Sequence, residues 1–366
     1  MLKIKQLTRH LVVSIIIPLF FISLFTWAES PTIAYAQTAS ISGTVYHDEA
    51  GTAITSTFTT FATPVKLSIF RQSSSSVATL IMTTTTDVNG QFTFGGISAT
   101  GDYYITVDNT DQLAGFTDAL GAGLLEQTYA SSGNATGTAS GPICAGASNN
   151  TDFVQQTGTF SNWFVNAQNR AKSGPCYGGR AASVVNSATP TLNLKKHIIK
   201  VRIATTSDTF TGLLFAFSHN AVTHLGGSGP GSLSMFIRSA NAIPGPNAMR
   251  FVPVVAPNMP SNATTKVWWR MVYTTTVPLL PAITGDDTTI DGRAYAYRTN
   301  LVNDRNTGTV AAATTAGVNS QAIDAFERPE LEILENLGAN EATFTVQGNN
   351  VAIRRLALST DSNEPG

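Results

Sequence analysis

Apolar and polar positions alternate two by two along most of the chain after residue 39, the period of a half-buried strand. "ISGTVYHDEAG" sets Ile41, Gly43 and Val45 on one face and then turns through an acidic, glycine-bearing stretch. "PVKLSIFRQ" alternates Val65, Leu67 and Ile69 against Lys66, Ser68 and Phe70, and "LIMTTTTDVNGQFTFGGI" and "GDYYITVDN" follow. Asp87-Val88-Asn89-Gly90 reads as a turn between two such strands, with Gly90 supplying the positive φ. Short strands at this spacing predict a small β-sandwich over about Ala39 to Asp108. From Asn109 to Leu225 the chain is rich in Gly, Ala and Ser. Alternation then returns in "KHIIKVRIA" and "TFTGLLFAFSHNAVTHL", the last strands of a second sandwich or of an extended first one.

One stretch breaks the period. In "GSLSMFIRSANAIPGPNAMRFVP", Leu233, Phe236, Ile237 and Ala240 fall at i, i+3, i+4 and i+7, one face of a helix. Ser232 is placed to cap its start, and Pro244, Gly245 and Pro246 stop it. Strands resume in "MRFVPVV", "KVWWRMVYTTT", "TTIDG", "ELEIL" and "VAIRRLAL". "ELEIL" begins at Glu330 and "VAIRRLAL" at Val351, 21 residues later, and "TTIDG" at Thr288 lies 42 residues before Glu330. That recurrence, with turns such as "QGNNV", fits coils of a parallel β-helix. A β-helix end bares an apolar core and strand edges, so it needs a cap. The helix supplies one if Leu233, Phe236 and Ile237 face inward and Ser234, Arg238 and Asn241 outward; an ordinary surface helix on a sandwich is the alternative. The expected fold class is therefore all-β: β-sandwich followed by the helix-capped start of a parallel β-helix. The segments are 1–36, 37–108, 109–225 and 226–366.

Composition is most informative at the start of the chain. Lys3, Lys5 and Arg9 precede an apolar run from Leu11 to Trp27, and "AYAQ" offers an A-x-A cleavage site before Gln37. Residues 1–36 thus read as a signal peptide, with an uncleaved anchor as the rival, and the chain is expected to be secreted or at a bacterial cell surface. Its only membrane contact is then the transient one of the signal peptide. Removing Lys3, Lys5, Arg9 and Glu29 takes the formal charge from −1 to −3. Charged residues make up only 12% of the chain and form no basic stripe, which argues against nucleic acid as a partner. The two cysteines, Cys144 and Cys176, are expected to form a disulfide in an oxidising compartment. His197, His219 and His224 are scattered and read as surface or edge-strand residues, with no zinc-site spacing.

"SGTVYHDEAG … VKLSIFR … TTDVNGQFTFGGI … GDYYITV" resembles the carboxypeptidase regulatory-like domains and the collagen-adhesin B-type repeats of bacterial surface proteins, over about seventy residues. The resemblance implies a rigid stalk or accessory domain without peptidase activity; some adhesin relatives carry Lys–Asn isopeptide bonds, for which Lys66 and Asn109 are the conceivable pair. "GSLSMFIRSANAIPGPNAMRFVP", "LPAITGDDTTIDG" and "NNVAIRRLAL" resemble the start of large secreted bacterial right-handed β-helix proteins, over about 130 residues. Ser234 stands where Arg is common there, and Arg355 where Gly is common. Many coils usually follow in such proteins. This chain ends at Gly366 after barely one clear coil, so it reads as naturally short or as a piece of something longer.

Candidate chemistry is sparse. In "GDDTTIDG", Asp286, Asp287 and Asp291 offer oxygen ligands for Ca²⁺, with Arg270, Arg293 or Arg354 as a base, paralleling the Ca²⁺-dependent polysaccharide lyases of this fold. Asp and Gly are also what tight turns require, so structural Ca²⁺ is the only cofactor weighed. Trp163, Trp268, Trp269 and Tyr273 are candidates to stack on sugar rings. Trp268 and Trp269 are adjacent in a strand and face opposite sides, so one belongs to the core. The N-x-[ST] positions Asn134, Asn149 and Asn262 matter only in a glycosylating host. No G-x-S-x-G occurs. The expected function is a non-catalytic, exported structural or adhesin-like protein whose partners are polysaccharide or cell-envelope components. A polysaccharide lyase or glycoside hydrolase, or an accessory piece of one, is the alternative.

Overall fold

The computed structural model describes residues 37–72, 78–107, 125–131, 134–135, 138–142, 173–177, 198–227, 231–260, 266–274, 279–297, 299, 301–310, 314–316, 318, 320–323, 326–336 and 343–360. Residues 1–36, expected to be a signal peptide, and Cys144, Trp163, His197, Asn109, Asn149 and Asn262 lie outside these residues. Eleven strands build two sheets. They are β1 (Ala39–His47), β2 (Lys66–Gln72), β3 (Ala78–Thr85), β4 (Gln91–Ile97), β5 (Gly101–Val107), β6 (Glu126–Ser131), β7 (Asn134–Ala135), β8 (Thr138–Pro142), β9 (Ser173–Pro175), β10 (Ile198–Ile203) and β11 (Thr209–Ser218). One sheet has the order β4-β1-β11-β6-β9, with β7 also on β11; the other runs β3-β2-β5-β10-β8. All pairs are antiparallel except β1 with β11.

The alternation seen in the sequence is the alternation of burial. Ile41 and Val45 of β1, Phe92 and Phe94 of β4, Leu67 and Ile69 of β2, and Ile199 and Val201 of β10 meet Phe210, Leu213, Phe215 and Phe217 of β11 in one core. Each such side chain contributes about 1.5–3 kcal/mol on burial. The turn at Asp87 forms as expected: its Oδ1 accepts the amides of Asn89 and Gln91 at 2.9 and 2.8 Å, and Gly90 takes φ 73°. The segmentation at residue 108 does not survive as a break in the core. β10 and β11 pair with strands from before it and complete the same sandwich, the extended-first-sandwich alternative.

β11 runs through His219 and Asn220 directly into β12 (Ala221–Val222), which is the first rung of a different architecture. After it come α1 (Leu233–Ala242), β13 (Asn247–Ala248), β14 (Arg250–Phe251), β15 (Trp269–Thr274) and β16 (Thr288–Asp291). A nested pair of hairpins, β17 (Thr309–Val310), β18 (Thr314–Ala316), β19 (Gln321–Ile323) and β20 (Phe326–Glu327), precedes β21 (Leu331–Asn336), β22 (Ala352–Arg354) and β23 (Leu356–Thr360). Here every ladder outside those hairpins is parallel: β12 on β14, β13 on β16 on β22, and β15 on β21 on β23. Parallel rungs with side chains in register make stacked columns. Trp269, Leu331 and Leu356 form one inward column and Met271, Ile333 and Leu358 the next.

The coil period differs from the expected one. "ELEIL" does not stack under "VAIRRLAL" as a unit: Leu331 pairs with Leu356, while Thr289 pairs with Ala352, 63 residues on. Each coil holds two strands around a corner. In one coil the corner between β16 and β21 carries the whole excursion 292–330; in the next it is Arg355 alone, in the left-handed region at φ 57°. The 21- and 42-residue intervals joined strands from different faces.

Helix α1 closes the near end of this solenoid core. Ser232 Oγ accepts the Met235 amide at 3.1 Å, and Leu233, Phe236, Ile237 and Ala240 pack with Phe251, Trp269, Met271 and Ile290. Ser234, expected outside, is buried as well, because the end of the helix is wrapped on more than one side. At the far rung Leu358 points along the inward column yet stays 55% exposed.

Candidate functional site

Two places concentrate polar chemistry: a buried seam where the sandwich meets the solenoid, and a pocket on the solenoid surface. At the seam, Asp48 follows β1 and is fully buried, accepting the amides of Thr52 at 3.1 Å and Ala53 at 2.7 Å. Burial raises its pKa despite those bonds. Next to it, His47 Nε2 lies 3.2 Å from His219 Nδ1, and His219 Nε2 lies 3.0 Å from Asn247 Oδ1. Asn247 Nδ2 donates to the carbonyls of Ile243 at 2.9 Å and Gly245 at 3.0 Å, closing the C-terminus of α1. Its orientation is thereby fixed, and so is the chain of protons. Asn247 Oδ1 must accept from His219 Nε2–H, and His219 Nδ1 must accept from His47 Nε2–H. Burial lowers both imidazoles to about 4, so both are neutral at pH 7. His219, expected at a surface or edge, is 4% exposed.

The pocket lies where the excursion folds back on the corner that launches it. It encloses about 260 Å³ between Arg355 at the coil corner, Arg293 at the root of the excursion, and Asp304, Glu327, Arg328 and Glu330 farther along it. Glu330 anchors both parts. Its carbonyl accepts the Trp269 amide at 2.9 Å, and its Oε1 accepts the amides of Arg305 and Asn306 at 3.0 and 2.8 Å. Its Oε2 is buried with no geometric hydrogen-bond donor, and Arg328 Nε is buried with no acceptor. Burial pushes Glu330 up to about 7; the Asn306 and Arg305 amides pull down, and hydrogen bonding with the Asp304 carboxyl adds to the rise. Arg355 reaches Asp291 Oδ2 at 2.6 Å, and Arg293 stands 3.7 Å from Glu327.

The residues singled out from the sequence land as follows. Asp286 Oδ1 accepts the backbone and side-chain N–H groups of Asn349 at 2.6 and 3.1 Å, and Asp287 Oδ1 accepts Asn350 Nδ2 at 2.6 Å. Asp291 takes Arg354 at 3.1 Å as well as Arg355. The three carboxylates tie one coil to the next rather than converging. Among the described residues, no group of three His, Cys, Asp or Glu side chains is placed to hold a metal ion. Trp269 and Tyr273 are 2% and 3% exposed and pack in the core. Trp268 stays partly exposed and donates to Glu332 Oε2 at 2.6 Å, beside Arg270 at 2.8 Å. Burial acts to raise Glu332, but Arg270, Ser359 and Trp268 outweigh it and hold the carboxyl below its ordinary range. Arg354 and Arg293 are engaged as above. Cys176 is buried, with Gln127 Nε2 donating to its Sγ at 3.4 Å.

Glu330, Asp304 and Arg328 were not singled out from the sequence. A single signal pointed near them: Arg355 standing at a corner where glycine is common. No described helix is long and apolar enough to cross a membrane. Compared with family models, with curated proteins and with solved structures, the chain has no match in any of the three.

Proposed function

We propose that the chain is an exported, non-catalytic, adhesin-like protein in which a regulatory-like or B-type sandwich carries the capped start of a right-handed β-helix. The observation that carries this reading is the continuity of the two parts. β11 passes into β12 without a linker, Arg250 donates its amide to the Asn220 carbonyl at 2.9 Å, and Tyr177 donates to the Gly51 carbonyl at 2.8 Å. Ala53 and Tyr177 pack with Ala221, Val252 and Val254 across the seam. A stalk that must hold a binding face at a fixed angle needs such a joint; an enzyme with a mobile accessory domain does not. The Cys144–Cys176 bridge belongs to the same reading, since export exposes the pair to oxidation, and Trp268 supplies a surface aromatic for carbohydrate.

The test is to express the full chain in a bacterial host and shave intact cells with protease. Surface exposure of a chain beginning at Gln37 is expected; retention inside the cell with residues 1–36 intact overturns export. One observation favours the second reading, a polysaccharide lyase or hydrolase: Glu330, raised to about 7 by burial, lines an arginine-bearing pocket beside Asp304, the kind of group that general acid catalysis uses.

A further inference from the structure

The corner at Arg355 is backbone that glycine adopts freely and arginine only under strain. Its φ is 57°. A side chain held there against that cost points to a role for the guanidinium, and it lines the pocket with Arg293 and Arg328. Facing the arginines, the lining also carries the carboxyl groups of Asp304, Glu327 and Glu330. A ligand that fits must therefore bring an anionic acceptor for the arginines and hydroxyl donors for the carboxyls.

We propose that this pocket binds a carboxylated sugar unit, a uronic acid residue of an acidic polysaccharide. Its carboxylate meets Arg328 and Arg355, and vicinal hydroxyls donate to Glu330 and Asp304. A neutral sugar lacks the anion, and inorganic phosphate lacks the set of hydroxyl donors. Planar guanidinium groups match a carboxylate in two-point geometry. The reading rests on the carbohydrate-contacting part of the function proposed above and moves the contact from Trp268 alone to a built cavity.

The experiment is calorimetric titration of the full chain with trigalacturonate, with a neutral glucose trimer and inorganic phosphate as comparisons, repeated on Arg355→Gly, Glu330→Gln and Trp268→Ala. Arg355→Gly relieves the strained corner, and Glu330→Gln keeps an acceptor for the Arg305 and Asn306 amides, so both are expected to fold. The expected result is saturable trigalacturonate binding weakened at least tenfold by Arg355→Gly and by Glu330→Gln, with no heat from the neutral trimer. Equal binding of the neutral trimer, binding of phosphate alone, or trigalacturonate affinity unchanged in both pocket variants overturns the proposal. If retention on neutral polymer persists and is lost only in Trp268→Ala, this inference fails while the adhesin reading stands. Cleavage of the trimer sinks that reading and leaves the pocket assignment standing.

Discussion

Acid should weaken the joint between sandwich and solenoid through His219. Its Nδ1 accepts from His47 and its Nε2 donates to Asn247, so a second proton has no acceptor and would face the His47 N–H. Burial, the neighbouring His47 and the loss of that acceptor act together, and the ring titrates at about 4 against an ordinary 6.5; Glu49 and the Asn247 bond pull the other way. Because folding lowers this pKa, the unfolded chain binds more protons than the native one between those values. The stability contribution is whole above pH 6.5 and is lost as pH falls toward 4, levelling below it. At about 1.4 kcal/mol per pH unit, the gap amounts to about 3 kcal/mol. Asp48, whose pKa is raised, acts in the opposite sense over its own range and is common to wild type and variant. The assay is urea unfolding at pH 7, 5.5 and 4 for wild type and His219→Gln, whose amide keeps a donor and an acceptor but takes no proton. Wild type should lose about 3 kcal/mol more than the variant between pH 7 and 4. Parallel pH profiles, or an NMR midpoint for His219 near 6.5, would refute the buried-seam argument.

Other consequences are as direct. A Cβ on Gly292 would lie 2.2 Å from the Arg355 carbonyl oxygen of the next coil, so Gly292→Ala should cost about 2 kcal/mol or more and lower the thermal midpoint. Asn247→Ala removes the groups that close α1 and orient His219, leaving buried partners unpaired; a loss of about 3 kcal/mol in urea unfolding is expected. Arg355→Gly exchanges an exposed ion pair for an unstrained corner, so its thermal midpoint should equal or exceed that of wild type, and a drop of several degrees would contradict the corner argument. Non-reducing peptide mapping should recover Cys144 joined to Cys176, and reduction should lower stability by about 3 kcal/mol.

Much of this fold could be read from local pattern, since strand period, the turn chemistry at Asp87–Gly90 and the capped helix at Ser232 are each encoded in a short run of neighbouring residues. The solenoid period was not legible. A hairpin excursion of about forty residues enters at one corner and a single arginine makes the equivalent corner one coil later, so equal intervals along the chain do not mark equal heights along the solenoid. The candidate site was hidden for the same reason. Asp304 and Glu330 lie on the excursion, Arg293 at its root and Arg355 a coil away, and only the fold-back brings them within one cavity. The aspartates of "GDDTTIDG" were visible as chemistry, but each is occupied by an Asn or Arg 63 or 64 residues on, a pairing that depends on the true coil length. His219 looked isolated because its partners, His47 and Asn247, come from the sandwich and from the strand that follows the helix.

The proposal that the chain holds carbohydrate without cutting it meets its sharpest test when the full chain is incubated with a panel of acidic and neutral polysaccharides, and retention and new reducing or unsaturated ends are scored in the same tubes. Retention on uronate-bearing polymers with no new ends, diminished by Arg355→Gly, is the predicted result. New ends that vanish in Glu330→Gln would contradict it and make the pocket an active site.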